Sequence, residues 1–525
     1  MSDLAMSDLE ADIRQLGLRL HARARRPGLL RGLSGRLLAR VARDDGWRDS
    51  LFPLIEALPQ LRDAGAIAAH LRAGLPAARR ADWLDALLRL AARPGLAWSV
   101  RVFTRRLALH FLCEENEKAL RGVLAGLARV PARATLDAVG EQVLSEAEAD
   151  QYLDRNLRLL EWMGTMARPH GPPHLSLKLS ALTPRFDPLD PGGTRHRVLG
   201  RMAPLIDAAS RLGATLTVDM EHYALKEAIL DLFLHLAEAC PGAWQPAIAL
   251  QAYLRDTGDD LVRVHATARR LGRRLGVRLV KGAYWDQEQA WAAQRGWPVP
   301  AWTDKAATDA AFEAHTVWLL ERSDCLHPAI ASHNLRSQAL ALTHARRLGI
   351  ADTDWEMQML FGMAEPLRDA LAGEGAPLRI YVPTGALDTG IAYLIRRLME
   401  NTASTSVLRQ SYLDGVDAES LLQTPHPPPV RESAALPAPA KTFANLPLLD
   451  FSQAGERDRF AGALRSVRAR LPLRHAGFSG RHLARNPAAP EEVLGEVGLA
   501  LPEDADSAVA RARARWRGSE TTVRV

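Results

Sequence analysis

The chain has 525 residues, which is too long for one ordinary domain and predicts two to four compact units. Hydrophobic residues make up 47% and charged residues 24%, the balance of a globular protein with a sizeable core, and no apolar run is long enough to span a bilayer. The formal net charge is +6 and the pI is near 9.4, but Arg is scattered among Asp and Glu, so nucleic-acid binding is only weakly supported.

Residues 1 to about 125 are predicted to be helical throughout. Apolar residues recur at helical spacing in LFPLIEALPQL (51–61), DWLDALLRLA (82–91) and ALHFLCEENEKALRGVLAGLARV (108–130). Positive charge is concentrated between Leu16 and Arg43. Two interpretations stay open: an arm that packs its Leu stripe on the rest of the protein, or a basic amphipathic helix at a membrane surface. We divide this region into an N-terminal helical arm, 1–50, and a helical subdomain, 51–128.

From Ala134 onwards, eight short β-rich runs alternate with helical stretches. The runs are ATLDAVGE (134–141), LSLKLSAL (175–182), TLTVDME (215–221), AIALQAYL (247–254), VRLVKGAY (277–284), AIASHN (329–334), WEMQML (355–360) and LRIYVP (378–383). Alternation of strand and helix implies a parallel sheet, and eight units are the number that closes a barrel. The sequence therefore predicts the α/β class, with a TIM-like (βα)8 barrel over 129–412. A doubly wound open sheet is the alternative, but the Gly-rich phosphate turn expected after its first strand is missing.

After the barrel, the composition changes to a Pro/Ala-rich linker, assigned to 413–455. Its run TPHPPPVRESAALPAPAK (424–441) is expected to be extended and exposed. The remaining segment, 456–525, reads as a helix and then a strand pair that leads into another helix. Because the pattern stops part-way, we expect an incomplete unit here.

Polar residues within the otherwise apolar strands indicate a functional site. Catalytic groups of such barrels lie at the carboxyl ends of the strands, and a buried polar group is costly unless it is paired. These residues are Asp137, Glu141, Lys178, Ser180, Asp219, Glu221, Gln251, Arg278, Lys281, His333, Asn334, Gln358 and Tyr381. Separate ion pairs would explain any one of them, but they explain poorly why nearly every strand contributes one.

The helical stretch IAYLIRRLMENTAS (391–404) carries adjacent arginines, Arg396 and Arg397. Tyr393 precedes Arg397 by one turn, and Glu400 follows Arg396 by four residues. Two guanidiniums beside an apolar helix suit bidentate capture of a carboxylate. A surface Arg pair bridged to Glu400 is the alternative.

Several of these segments resemble a known enzyme family. LSLKLSAL, LQAYLRD, VRLVKGAYWD, ASHN, WEMQMLFGMAEPL and YVPTG…YLIRRLMEN are similar, in order and spacing, to the proline dehydrogenase module of bacterial proline utilization A. The similarity covers roughly residues 130 to 412. It implies a flavin barrel that oxidises L-proline to pyrroline-5-carboxylate by hydride transfer to FAD, after which electrons pass to a membrane quinone.

The resemblance also implies roles for individual residues. Lys178, Arg396 and Arg397 would bind the proline carboxylate, and Tyr381, Tyr393 and Leu360 would wall its ring. Asp219 would lie near the amine, and Glu141 would pair with Arg396 when the site is empty. Arg278 would lie near flavin N5, with Tyr284 close to the ring system. The other FAD contacts would come from Gln251, Val280, Gly282, Ala283, Trp285, Thr303, Lys305, His333, Asn334 and Glu400. Hydride loss from Cα or Cδ requires a dry pocket beside the flavin, and no general base is assigned.

Two departures from the family pattern affect these assignments. Glu221 is followed by His222 where the family has a second carboxylate, and Asp304 interrupts the segment that contains Thr303 and Lys305. The second departure concerns the individual roles of Thr303 and Lys305 and leaves the prediction of the barrel unchanged.

The ends of the chain give further expectations. The N-terminus does not resemble the family's DNA-binding segment, so DNA is not an expected partner. The segment after the linker resembles the opening of an aldehyde dehydrogenase domain, which in the family binds NAD and uses a catalytic cysteine. No cysteine follows Cys325, so this chain alone is not expected to perform that second reaction.

Three cysteines without metal-ligand spacing and the absence of a secretory signal favour a reducing cytoplasm. Peripheral contact with the inner face of the membrane and a homo-oligomer are left open. The competing hypotheses are a metal-assisted barrel hydrolase that uses Asp219, Glu221, His333 and Lys178, a DNA-binding regulator, and an inactive scaffold.

Overall fold

The computed structural model forms two compact units, Met1–Leu448 and Leu449–Val525. It describes residues 3–24, 57, 60–61, 63–74, 90, 93, 96–140, 143–166, 171–240, 242–386, 416–426, 448–475, 477–478 and 480–517. The five-part division drawn from the sequence stays a prediction.

The region before the barrel is not helical throughout. Its described helices are α1 (Asp3–Ala24), α2 (Ala64–Gly74), α3 (Ala97–Phe111) and α4 (Glu117–Ala128). Between α3 and α4, residues Cys113–Glu114 form a short strand, β1, which pairs in parallel with Thr384 and Gly385. The expectation of unbroken helix is wrong here, because the last barrel strand continues past Tyr381, where its pairing with the preceding strand ends, and leaves the backbone of Thr384 and Gly385 to pair with this segment.

Eight parallel strands close into the predicted barrel. They are β2 (Ala132–Ala138), β3 (His174–Leu177), β4 (Thr215–Val218), β5 (Gln245–Gln251), β6 (Leu275–Val280), β7 (Leu326–Ala331), β8 (Glu356–Leu360) and β9 (Leu378–Gly385). Each strand pairs with the next, and β9 pairs with both β8 and β2. Closure rules out the doubly wound open sheet.

Helices follow the strands as the alternating pattern predicts. They are α5 (Glu146–Thr165), α6 (Pro191–Leu212), α7 (Tyr223–Ala239), α8 (Thr257–Leu271), α9 (Trp285–Arg295), α10 (Lys305–Leu320), α11 (Leu335–Leu348) and α12 (Glu365–Gly373), and a 3-10 turn spans Leu179–Leu182. Capping side chains determine where two of these helices begin. The Ser145 hydroxyl accepts from the backbone of Glu148 at the start of α5, and Asp190 caps α6 ahead of Pro191.

The strands are buried on both faces, because side chains fill the barrel and helices cover its outside. Leu136, Leu175, Leu216 and Ile248 are fully buried and belong to one hydrophobic core. This packing fixes the strand ends, and therefore fixes the side chains that the strand ends carry.

Helix α1 packs on the first unit. Ile13, Leu16 and Leu20 are buried, and the helix contacts α11, α12 and a short helix, α13 (Ala418–Leu421). As far as Ala24, the Leu stripe therefore covers the barrel, as the first of the two interpretations expected. Residues 25–43 of the basic stretch lie outside the described residues. No helix in the described part of the chain has both the length and the apolar character needed to cross a membrane.

The second unit contains α14 (Ala454–Arg468), β10 (Leu473–His475), β11 (Gly480–Asn486), β12 (Ala489–Leu499) and α15 (Pro502–Arg517). The antiparallel pair β11–β12 between two helices agrees with the sequence pattern, whereas β10, parallel to β12, was not predicted. Among the described residues, none of the buried hydrophobic side chains lies beyond Leu422. In its described part, this unit therefore has no hydrophobic core of its own.

Candidate active site

A cavity of about 770 Å³ opens at the carboxyl ends of the barrel strands. The polar residues that line it are Asp137, Lys178, Ser180, Asp219, Glu221, His222, Gln251, Arg278, Lys281, Tyr284, Ser332, His333, Gln358 and Tyr381. Nearly all the polar strand residues noted in the sequence therefore meet at one site. Their convergence follows from parallel strands whose carboxyl ends share one rim.

Lys178 lies between two carboxylates at this rim. Its ammonium is 3.3 Å from Asp137 Oδ1 and 3.8 Å from Asp219 Oδ2, and 27% of its side chain is exposed. Burial opposes the charge, but Asp137 and Asp219 together raise the pKa of Lys178 above its ordinary value. The site therefore holds a permanent cation beside open space.

The backbone of Lys178 is held by a residue that the sequence analysis missed. Its N–H donates to the hydroxyl of Tyr152 on α5, at 3.0 Å. Tyr152 is buried, and burial raises its pKa to about 12, so the phenol stays protonated. It lies on a helix six residues after that helix begins, where nothing in the local sequence distinguishes it from a core residue.

Arg278 is buried inside the barrel, and its guanidinium donates hydrogen bonds through Nη1 and Nε. Its Nη1 donates to Asp219 Oδ1 at 2.6 Å and to Ser176 Oγ at 2.7 Å, and its Nε donates to Gln358 Oε1 at 2.7 Å. Tyr381 lies under the guanidinium, 5.1 Å from ring centroid to Cζ. These contacts fix the plane of the guanidinium.

Tyr381 donates its hydroxyl hydrogen to Asp219 Oδ2 at 3.0 Å. Burial first, and then the charges of Asp137 and Asp219, raise its pKa well above the ordinary value. The phenol therefore stays neutral and presents its ring to the cavity.

The side of the cavity beyond β4 differs from the family pattern. Burial raises the pKa of Glu221, although a hydrogen bond from Ser180 opposes the shift, and burial lowers the pKa of His222. The His222 ring lies 5.5 Å from the Trp291 ring and 6.1 Å from the Tyr284 ring, measured between centroids. A neutral imidazole among aromatic rings thus stands where the family has a second carboxylate.

The segment after β6 runs along the cavity as backbone. Gly282 has φ +133°, and a Cβ at this position would lie 1.8 Å from Cδ1 of Tyr253. Glycine is therefore required both by the backbone conformation and by the close approach of Tyr253. Val280, Ala283 and Tyr284 line the cavity on either side of it.

Three buried polar atoms of cavity-lining residues have no hydrogen-bond partner in the described part of the chain. They are Nη2 of Arg278 and Oε1 of Gln251, on the neighbouring strands β6 and β5, and Oε1 of Glu221. Such atoms are rare in protein interiors unless a ligand or water satisfies them. A free donor and a free acceptor on neighbouring strands suit a planar heterocycle that carries both ring nitrogens and N–H groups, so the residues present fit a flavin ring.

Comparison with known proteins identifies the family of this site. Residues 123–410 match the family model described as proline dehydrogenase. That is more than half of the chain. The chain belongs to the proline dehydrogenase family.

Its relatives include stand-alone and two-function enzymes. A protein from Deinococcus radiodurans named proline dehydrogenase is 29% identical over 339 residues, which are 63% of this chain and 97% of that protein. The bifunctional protein PutA of Salmonella typhimurium is 33% identical over 290 residues, covering 53% of this chain and 22% of that protein.

A solved structure of proline utilization A from Bdellovibrio bacteriovorus, inactivated by N-propargylglycine, has a TM-score of 0.84 and 28% identity to this chain. The match covers 97% of this chain and 54% of that one. The chain thus spans about half the length of this solved relative, and the alignment with the Salmonella protein reaches less than a quarter of that relative. The expectation of a proline dehydrogenase family enzyme built on a TIM-like barrel is confirmed.

Some residues carried over from the family lie away from the cavity lining. Trp285 begins α9 and donates its indole N–H to the carbonyl of Trp302 at 2.6 Å, and Thr303 and Lys305 are exposed. Asn334 caps α11, its Oδ1 accepting from the backbone of Ser337 at 3.0 Å. Asp304, which departs from the family pattern, caps α10.

Leu360 does line the cavity. Its backbone N–H donates to His333 Nε2 at 3.0 Å, and this hydrogen bond joins the ends of β7 and β8.

Five residues proposed for the site lie outside the described residues. They are Glu141, Tyr393, Arg396, Arg397 and Glu400. The carboxylate clamp on the helix after the last strand therefore stays a prediction.

The structure adds Ser176 and Glu356 to the residues noted in the sequence. Both are polar residues inside strands, so the same signal that selected Gln358 could have found them. Neither the family match nor the geometry favours the competing hypotheses. In the part of the chain described, no three His, Cys, Asp or Glu side chains cluster as metal ligands would.

Proposed function

We propose that this chain oxidises L-proline to 1-pyrroline-5-carboxylate with bound FAD and passes the electrons to a quinone. The observation that carries the proposal is the cavity itself, in a chain of the proline dehydrogenase family. There Lys178, Tyr381 and Arg278 line one space, and Nη2 of Arg278 has no partner among the described residues. FAD, when bound, supplies a two-electron acceptor that takes the hydride. Proline loses this hydride from C5 and a proton from nitrogen, which leaves the C5=N double bond of the product.

The substrate carboxylate needs fixed cationic donors. Lys178 supplies one, because Asp137 and Asp219 keep it charged and hold it at the rim. By resemblance, Arg396 and Arg397 supply the others, and Glu141 pairs with Arg396 when no substrate is bound. Tyr381, Tyr393 and Leu360 would enclose the apolar ring and exclude water.

The flavin would be held mainly by groups of β5, β6 and β7. Gln251 and Arg278 offer the unpartnered acceptor and donor, and Val280, Gly282, Ala283 and His333 line the cavity beside them. Trp285, Thr303, Lys305, Asn334 and Glu400 would contact parts of FAD that extend beyond the described cavity. Tyr284 would lie close to the ring system.

Asp219 orients groups rather than accepting the substrate proton. Its carboxylate already accepts from Arg278, Ser176 and Tyr381. We therefore assign no general base, since the amine can release its proton to solvent before the pocket encloses the substrate.

We further propose that the second unit corresponds to the opening of an aldehyde dehydrogenase module. The match to the solved Bdellovibrio structure extends over 97% of this chain and supports this assignment. No cysteine follows Cys325, so this chain offers no thiol in that unit for aldehyde oxidation. Reduction of a membrane quinone would bring the protein to a membrane surface from the cytoplasm.

The test is formation of the product by the purified chain. With FAD, L-proline and a soluble quinone, trapping with 2-aminobenzaldehyde should give the coloured adduct of 1-pyrroline-5-carboxylate, in amounts equal to the quinone reduced. D-proline serves as the control. A chain that binds FAD yet forms no adduct would contradict the proposal. Hydroxyproline is worth including, because a bovine hydroxyproline dehydrogenase is 34% identical over 230 residues.

A further inference from the structure

A chain of hydrogen bonds runs through the barrel interior to Arg278. At its far end, Arg379 on β9 holds the Glu356 carboxylate, with Nε 2.9 Å from Oε1 and 2.8 Å from Oε2. Glu356 Oε1 also accepts from Nε2 of Gln358 at 2.6 Å, and Gln358 Oε1 accepts from Arg278 Nε at 2.7 Å. Glu356 and Gln358 lie two residues apart on β8, so both side chains point into the barrel.

The orientation of the Gln358 amide is fixed by its two neighbours. Arg278 can only donate, and Glu356 is held ionised by Arg379 and can only accept, so the amide oxygen faces Arg278 and its nitrogen faces Glu356. Gln358 is 3% exposed and Arg278 is 4% exposed, so water does not compete for these bonds. A buried network in which every bond has one possible direction is rigid.

The guanidinium of Arg278 has five N–H groups. The Gln358 and Asp219–Ser176 contacts use the Nε and Nη1 edges, and the Nη2 atom has no partner among the residues described. Gln358 and Asp219 therefore determine which edge of the guanidinium is left for a ligand in the cavity.

We propose that Gln358 is a positioning residue for the cofactor, because it sets the orientation in which Arg278 presents its free edge to the flavin. The inference requires that FAD is bound, as the proposed function states, but it does not require that the chain oxidises proline. A cation held against the flavin stabilises the reduced, more negative form and raises its midpoint potential. Loosening Arg278 should lower that potential.

Glutamine suits this position better than other side chains of similar size. A Glu would bring a second acid within hydrogen-bonding distance of Glu356, and a Lys would place a second cation against Arg278. A Met fills the same volume but offers no strong donor or acceptor, so Arg278 Nε and Glu356 would each lose a partner.

The decisive experiment is the midpoint potential of the FAD-loaded chain, measured against redox dyes without proline. We expect Gln358→Met to shift the potential in the negative direction while FAD still binds. Reduction of the bound flavin by L-proline should slow roughly 10- to 100-fold, as expected for a misplaced reacting group. Gln245→Met, at the exposed amino end of β5, is the matched control and should leave the potential unchanged.

A double-mutant cycle separates positioning from a general structural effect. If Gln358 acts through Arg278, the double variant Arg278→Met/Gln358→Met should have the potential of Arg278→Met alone. An unchanged potential in Gln358→Met, or additive shifts in the double variant, would overturn the inference. Failure of L-proline to reduce the parent chain would instead count against the proposed function, and the potentials would still decide the role of Gln358.

A second variant guards against loss of folding. Gln358→Glu has the same length and keeps an oxygen towards Arg278 Nε, while its negative charge offsets part of the guanidinium charge. Arg278 favours ionisation of this acid and the ionised Glu356 opposes it, so the potential is measured as a function of pH. We expect it to fall below the parent's at the same pH once the new acid ionises, and a potential equal to the parent's at every pH would contradict the inference.

Discussion

The ammonium of Lys178 is the described cation best placed to meet a substrate carboxylate. It sits at the rim with 27% of its side chain exposed, whereas Arg278 is enclosed by the barrel. The two carboxylates beside it hold it in place and keep it charged, so we expect it to bind the substrate rather than to exchange protons.

Replacing Lys178 by Met should therefore weaken substrate binding more than cofactor binding. We expect the KM for L-proline to rise roughly 10- to 100-fold, about 1.5–3 kcal/mol for a lost charged hydrogen bond. Steady-state kinetics with a soluble quinone measure the KM, and the FAD content of the purified variant measures cofactor binding. Lys118→Met on the exposed surface of α4 is the control. An unchanged KM would show that Lys178 does not contact the carboxylate.

Gly282 is a second position where a single substitution should change the site. A methyl group there would overlap the Tyr253 ring and sit on a backbone with φ +133°. Gly282→Ala should weaken FAD binding and lower the unfolding temperature. Gly272→Ala, with φ +56° and open space around it, is the control for a glycine-to-alanine change that costs about 1–2 kcal/mol of backbone strain without a steric overlap. If both variants bind FAD equally, Gly282 is not needed for close approach to the cofactor.

Some residues of the site were predictable from the sequence and others were not. Asp137, Arg278 and Gln358 stand out because each is a polar residue in a buried strand. Tyr152 does not, because a tyrosine at a helical core position looks the same whether or not its hydroxyl finds a partner. The orientation of Arg278 also could not be predicted, since it depends on contacts between strands far apart in sequence.

At the scale of elements, the eight barrel strands and the helices between them were predicted from periodicity. Strands β1 and β10, which lie outside the barrel, were not predicted, because two and three residues are too few to show a period of two. The docking of α1 was open between two interpretations, because an amphipathic helix gives the same pattern on a protein surface and on a membrane.

The docked helix α1 also forms an ion pair between Glu10 and Arg336. Arg336, two residues after the Asn334 cap of α11, donates to Glu10 and to Glu313, with Nη2 3.0 Å from Glu10 Oε2 and Nε 3.0 Å from Glu313 Oε1. The hydrogen bond from Arg336 lowers the pKa of Glu10 below its ordinary value. An acid with a lowered folded-state pKa adds stability above its unfolded pKa, and that stability is lost as pH falls through the folded value.

Glu10→Gln should therefore lower the free energy of unfolding at neutral pH by about 0.5–1 kcal/mol, since the Glu10 side chain is partly exposed. The difference from the parent should shrink as the pH is lowered through the acid range. Urea unfolding at several pH values measures this, with Asp8→Asn on the exposed side of the same helix as the control. A difference that stays constant across this range would mean that the Glu10 charge is not involved.

At the scale of the whole molecule, the cavity and the core belong to the first unit. All cavity-lining residues fall between Asp137 and Tyr381, and the buried hydrophobic residues of the described chain end at Leu422. The change in composition at the linker predicted a boundary after the barrel, but the sequence could not show which residues pack together.

A chain that ends at Leu448 should therefore keep both FAD binding and reduction of the flavin by proline. The comparison is made by rapid mixing of each FAD-loaded protein with L-proline. Loss of reduction in the shortened chain, with FAD still bound, would mean that the second unit contributes to the site.

The most direct test of the account is anaerobic mixing of the FAD-loaded chain with L-proline. We predict that the visible absorbance of the oxidised flavin disappears with L-proline, persists with D-proline and returns on addition of a quinone. Persistence of the oxidised spectrum at saturating L-proline, in protein that holds stoichiometric FAD, would contradict the account.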